Sequence, residues 1–146
     1  MASFQFRLAP LLRLRERIEE EKQFELRALH DERARLEEEI ANLTARRESS
    51  AAAFTPPGGL IIAPVELQLL DEYAQLLDKQ IERKQAALAS LHERLAEKQQ
   101  ELTEAAREVK SLEILRQRLA DKFRHAQNVA EQKFLDELGQ RKFTRQ

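Results

Sequence analysis

The sequence predicts an all-α fold, a long two-helix antiparallel coiled-coil hairpin whose second helix is longer than the first. Three observations predict it. A seam of alternating three- and four-residue steps runs from Leu67 to Ala130, a shorter one from Leu11 to Leu43, and a Pro/Gly cluster separates them. Such alternation keeps side chains on one narrow stripe of a helix, the stripe a coiled-coil partner covers. The composition agrees. Of 146 residues 35% are charged and 5% aromatic, with Gly 3 and Pro 4, a mix expected of long helices and not of a globule.

The first arm starts with Phe4-Gln5-Phe6-Arg7-Leu8, whose apolar–polar alternation suits an extended lead-in. Pro10 fits a first helical turn, where its missing N–H costs nothing. The helix then reads Leu11, Leu14, Ile18, Lys22, Leu26, Leu29, Arg33, Leu36, Ile40, Leu43. Two consecutive fours at Ile18–Lys22–Leu26 form a stutter, which locally unwinds a supercoil. Acidic clusters at Glu19–Glu21 and Glu37–Glu39 alternate with Arg17, Arg27 and Arg35. They read as a solvated coiled-coil face, with a metal or basic-ligand site as the alternative.

Helix fails between Phe54 and Pro64, where Pro56-Pro57-Gly58-Gly59 removes a donor and adds backbone entropy. The expected layout is one coiled-coil domain over 1–146: helix 1 about 9–54, a turn at 55–64, and helix 2 about 65–138. Folding about residue 60 pairs positions whose numbers sum to about 120. Leu43 then faces Leu77, Ile40 faces Ile81, Leu29 faces Leu91, and Leu26 faces Leu95. The poor layer sets Lys22 opposite Lys98, and a soft point is expected there.

The second arm reads Leu67, Leu70, Ala74, Leu77, Ile81, Lys84, Leu88, Leu91, Leu95, Lys98, Leu102, Ala105, Val109, Leu112, Arg116, Leu119, Phe123, Ala126, Ala130. At ~1.5 Å per residue this stretch is roughly 95 Å long. Pairing exhausts the first arm near Leu112, so residues 113–146 overhang it. From Arg116 onward the overhang holds eight cations (Arg116, Arg118, Lys122, Arg124, Lys133, Arg141, Lys142, Arg145). Against them stand four acids (Asp121, Glu131, Asp136, Glu137), a net of +4. The whole chain hides this, with Lys+Arg 25 against Asp+Glu 26. A half-apolar basic helix without an intrachain partner is where an intermolecular contact is expected. Gly139 sits inside it and is expected to end the helix.

Near the start of the second arm Leu69, Tyr73 and Leu76 add a stripe beside the seam. Either the loop apolars Leu60, Ile61, Ile62 and Phe54 cover it, or it is a docking face.

Other chemistries find no residues. There is no cysteine, which excludes disulfides and thiolate metal sites and fits a reducing compartment. No apolar run reaches ~18 residues and no signal-peptide core precedes Arg7 and Arg13, so a soluble cytoplasmic protein is expected. His30 and His92 fall near each other in the register, but spacing supplies no further ligand and structural zinc takes four. There is no phosphate loop and no nucleophile–base pair, nor a cleft to shift carboxylate pKa values. Neither enzyme nor cofactor is expected. The tail cations are interspersed with acids, unlike the concentrated stripe that nucleic acid requires.

The N-terminal run Phe4-x-Phe6-Arg7-Leu8-x-x-Leu11-Leu12-x-Leu14-Arg15-Glu16 resembles the opening of the FliJ family, coiled-coil components of the bacterial flagellar type III export apparatus. The run Glu131-x-Lys133-x-Leu135-Asp136-Glu137-x-x-x-Arg141-x-Phe143-x-Arg145 resembles its ending, from which Gly139 departs. The resemblance implies a non-enzymatic protein acting with the export ATPase (FliI-like hexamer), its regulator (FliH-like), the export gate (FlhA-like) and export chaperones. It implies a place at the cytoplasmic face of the inner membrane without insertion, and work as a general chaperone or chaperone escort. It would set Arg116, Arg118, Lys122, Arg124, Lys133, Arg141, Lys142, Phe143 and Arg145 toward the ATPase, and Leu69, Tyr73, Leu76, Leu77 and Gln80 toward the gate. The alternatives are the equivalent stalk protein of a virulence secretion system, or a rod that self-associates through the overhang in place of a monomer.

Overall fold

A computed structural model of the chain describes residues 2–54, 58 and 61–145. Two helices, α1 (Ala9–Ala53) and α2 (Pro64–Thr144), pack antiparallel, and the second is longer. Half of the expected turn, Leu60 included, lies outside the described residues. Gly58 within it has φ +87°, a left-handed conformation that glycine adopts without a Cβ clash. Pro64 opens α2, and Leu67 N–H donates to Ala63 O at 3.0 Å. Glu66 in that first turn faces the positive end of the helix dipole.

The chain forms two compact units, Lys22–Glu101 and Met1–Glu21 with Leu102–Gln146. In the first, Leu29, Leu91 and Leu95 are buried together, with Leu26 and Leu36 packed against them. Ala74 and Leu77 are buried nearer the start of α2. In the second unit Leu12, Ala105 and Val109 are buried. Along α2 every expected seam position from Leu70 to Leu112 is buried or half-buried.

Three features differ from the sequence expectation. The register is the first. The inter-arm ion pairs Arg15–Glu108, Lys22–Glu101, Lys98–Glu25 and Lys84–Glu39 join residues whose numbers sum to 123 and Arg47–Asp78 to 125, a small offset from 120. Leu29 packs with Leu91, and Leu26 against the Leu95 cluster, as expected.

The second is the start of the α1 seam. Buried or half-buried positions run Leu12, Arg15, Glu19, Lys22, Leu26, Leu29, Arg33, Leu36, Ile40, Leu43, Arg47 and Ser50 in three–four alternation, with Glu16, Ile18, Gln23, Glu25 and Glu32 half-buried beside them. Leu12 is 4% exposed, whereas Leu14, assigned to the seam by its apolarity, is 51% exposed. The seam in this third of the helix is charged, and Arg15 is held there by Glu108 at 2.6 Å.

The third is Gly139. The helix does not stop there but runs on to Thr144, whose hydroxyl donates toward Gln140 O at 3.0 Å and Arg141 O at 3.1 Å. These bonds satisfy carbonyls that a helix C-terminus otherwise leaves open. Glycine in a helix interior costs about 1 kcal/mol relative to alanine, too little to end an 81-residue helix.

Candidate partner-binding surfaces

The basic stretch of α2 is not bare from Leu112 onward, as its length had implied. Residues 2–6 run extended and Ala9 N–H turns back to Phe6 O at 3.1 Å to enter α1. Phe4 and Phe6 are half-buried while Gln5 and Arg7 are exposed, the alternation an extended strand requires. The Phe4 ring lies against Phe123 with centroids 5.8 Å apart and planes at 46°. Gln127 Nε2 donates to Ala2 O at 2.9 Å. The reach follows from rise per residue. Extended chain advances ~3.3 Å per residue against ~1.5 Å for helix, so the four steps from Phe6 to Ala2 match about nine residues of α2. This strap therefore covers α2 to Gln127. The covered face also rotates, to Ala120, Phe123 and Gln127, leaving Arg116, Leu119 and Ala126 exposed.

Beyond Gln127 every described residue is exposed. Phe134, Leu135, Leu138 and Phe143 show large apolar surface there, Phe143 at 83%. Arg116, Arg118, Lys122, Arg124, Lys133, Arg141, Lys142 and Arg145 are all exposed. Among the described residues none of these eight is in an ion pair. Two nearby acids are instead held by amides: Gln117 Nε2 donates to Asp121 Oδ1 at 3.0 Å and Gln132 Nε2 to Asp136 Oδ1 at 3.3 Å. With four carboxylates in it, the stretch keeps a net charge of +4 at the surface.

In the unit Lys22–Glu101, Leu69, Tyr73 and Leu76 remain open to solvent. Ile61 is 97% exposed and does not cover them. Leu77 stands apart from these three, buried to 2% exposure, so its side chain holds the hairpin seam. Gln80 is exposed and lines a shallow groove with Leu43, Asn42, Arg46 and Arg83, closed on one side by Lys84 paired to Glu39 at 2.7 Å. Ser50 is buried with no partner for its hydroxyl among the described residues.

The Lys22–Lys98 layer is bridged. Lys22 Nζ lies 3.0 Å from Glu101 and 3.8 Å from Glu25, and Lys98 Nζ lies 2.8 Å from Glu25 and 3.1 Å from Glu101. The Lys98 ammonium beside it holds the Glu25 carboxyl below the usual carboxylate value. Lys22 and then Lys98 do the same for Glu101. Glu25 and Glu101 in turn raise Lys98. The expected repulsion is replaced by four alternating charges.

Among the described residues no group of three or more His, Cys, Asp or Glu side chains could hold a metal ion. No helix among them is long and apolar enough to cross a membrane. The strap contact and Gln127 were missed from sequence; the Phe4/Phe6 alternation was their signal.

No curated protein and no solved structure matches the chain. The family model described as "Flagellar FliJ protein" matches residues 4–146, including both terminal runs and the whole of α1 and α2. The chain therefore belongs to the FliJ family, non-enzymatic coiled-coil components of the bacterial flagellar export apparatus.

Proposed function

We propose that this chain couples the export ATPase to the membrane export gate and escorts export chaperones, working as a rigid adaptor without chemistry of its own. The observation that carries the reading is the set of unpaired cations on the exposed end of α2. Eight arginines and lysines stand at the surface with no ion pair among the described residues, in a chain of the flagellar FliJ family. Charge held free in this way steers and anchors an acidic partner. The ATPase ring is that partner in this reading, and the regulator of the ATPase acts beside it. The open stripe of Leu69, Tyr73 and Leu76, with Gln80, serves the gate, since contiguous exposed apolar surface marks an interface. The protein then works at the cytoplasmic face of the inner membrane, held there by its partners.

The test is reconstitution with the export ATPase. Reversing Arg141, Lys142 and Arg145 to Glu is expected to weaken binding and to lower the stimulation of turnover, while helix content stays unchanged. Unaltered binding and turnover would sink the basic-tail assignment. Tyr73→Ala with Leu76→Ala is expected to weaken capture by the gate's cytoplasmic domain and to leave ATPase binding intact.

A further inference from the structure

Free arginines are not confined to the tail. Arg46 on α1 and Arg83 on α2 are exposed and line one groove of about 450 Å³ between the two helices, inside the unit Lys22–Glu101. Neither is in an ion pair among the described residues. Neither can gain one on its own helix, because side chains meet there only at three- and four-residue spacing. Those neighbours are Asn42, Leu43, Ser49 and Ser50 for Arg46, and Lys79, Gln80, Ala86 and Ala87 for Arg83. The next residue along, Arg47, has Asp78 at 2.9 Å. Among the described residues the one carboxylate lining the groove is Glu39, and Lys84 holds it at 2.7 Å. Two guanidiniums of the lining are therefore left over.

The groove continues an apolar flank. Leu69, Tyr73, Leu76, Gln80 and Arg83 follow one another at steps of four, three, four and three, which keeps them on one stripe of α2. All five are exposed, and Gln80 and Arg83 belong to the stripe and the groove alike. Away from the turn the stripe passes from hydrocarbon to amide to cation within ~21 Å, at ~1.5 Å per residue. Half-buried Leu43 and the Asn42 amide are the first arm's other contributions to the lining. A surface in this order is complementary to a ligand that is apolar at one end and acidic at the other. Guanidinium forks match the geometry of carboxylates, and two free cations fall short of the concentrated stripe that a nucleic-acid backbone needs.

We infer that the groove is the charged end of the gate interface: an acidic, amphipathic segment of the gate lays its apolar face on Leu69, Tyr73 and Leu76 and sets its carboxylates against Arg46 and Arg83. The inference rests on the reading of the apolar stripe as the gate-binding element. It adds the charge that the partner carries and gives the first arm a part in holding it. Because Arg46 and Arg83 sit on different helices, the site exists only when the hairpin is closed.

The experiment titrates the full chain against the cytoplasmic domain of the gate at low and high salt, in parallel with Arg46→Glu/Arg83→Glu and with Tyr73→Ala/Leu76→Ala. The arginine reversal is expected to lower affinity about tenfold at low salt and to flatten its salt dependence, with unchanged far-UV circular dichroism, since neither side chain holds the fold. Wild-type affinity for the arginine reversal beside a weakened Tyr73→Ala/Leu76→Ala overturns the inference and leaves the gate assignment standing. Wild-type affinity for both overturns the gate assignment and the inference with it. Sedimentation with phosphatidylserine vesicles that depends on Arg46 and Arg83, beside an unchanged gate affinity, also overturns the inference, because the groove then serves a lipid surface.

Discussion

Phe4→Ala is expected to release the N-terminal strap while leaving both helices formed. The strap is held by the Phe4 ring against Phe123 at 5.8 Å and by one hydrogen bond from Gln127 to Ala2. Phe4 is half-buried, and full burial of a Phe side chain is worth about 1.5–3 kcal/mol, so its share is about 1 kcal/mol. A tilted aromatic pair adds roughly another 1 kcal/mol. Losing about 2 kcal/mol raises the open fraction of the strap some thirtyfold. Trypsin reads that fraction at Arg7, which is exposed and adjoins the strap. Cleavage of a transiently opened segment tracks the opening equilibrium when reclosing is fast. Cleavage after Arg7 should therefore accelerate by about one order of magnitude or more, with unchanged far-UV circular dichroism. An unaltered rate would show that the ring contact does not hold the strap, and the account of how α2 is covered to Gln127 would fail with it.

Two further outcomes follow from the interior and from the charged layer. Leu91→Ala, in the cluster with Leu29 and Leu95, should cost about 3 kcal/mol in urea unfolding, within the range for buried Leu→Ala; a loss below ~1 kcal/mol contradicts its place in the core. The carboxyls of Glu25 and Glu101 are depressed below 4.5 in the fold. Their stabilising effect is thus complete above pH 4.5 and lost as pH falls through the depressed values. Lys98 mirrors this, its contribution full below 10.5 and lost as pH rises through its raised value. Amide protection around residues 22–25 and 98–101, corrected for intrinsic rate, should fall on acidification. In Glu25→Gln/Glu101→Gln it should already be low and should not change with pH. Equal pH dependence in both proteins contradicts the bridged layer.

What was legible in the sequence follows the chemistry of each seam. From Leu70 to Leu112 the covered positions of α2 are mostly leucine, alanine and valine, and spacing alone identified them. In the first third of α1 the buried position is Leu12 and the half-buried ones include Arg15, Glu16, Glu19 and Lys22 beside Ile18, so a search for apolar residues chose the exposed Leu11 and Leu14. The extent of the overhang was misjudged because residue counting assumes helical rise on both arms, and residues 2–6 advance about twice as fast as extended chain. The tail cations were legible individually. Their lack of ion pairs was not, because it depends on Asp121 and Asp136 being taken by glutamine amides. Gly139 was noticed for its propensity, but the helix runs past it to Thr144 because one glycine costs too little to end it.

The four-charge layer also answers a problem that a leucine seam creates. Leucines repeated every heptad pack almost equally well when one helix slides by seven residues, so apolar contacts alone leave several alignments close in energy. Lys22-x-x-Glu25 and Lys98-x-x-Glu101 are the same four-residue phrase read in opposite directions, and each lysine meets the other arm's glutamate. With Arg15–Glu108 and Lys84–Glu39, the native alignment sets only opposite charges together at these positions. Sliding one heptad one way leaves Lys22 and Lys98 against Glu108 and Glu32 but sets Lys84 against Arg46. Sliding the other way gives Arg15 and Lys84 the carboxylates of Glu101 and Glu32 but sets Lys22 against Arg94. Each misalignment thus keeps fewer opposite pairs and adds a like-charge contact, as charged flanks do when they fix the pairing of coiled coils. The charged positions as a set, and not the leucines, tell the two arms where to stop.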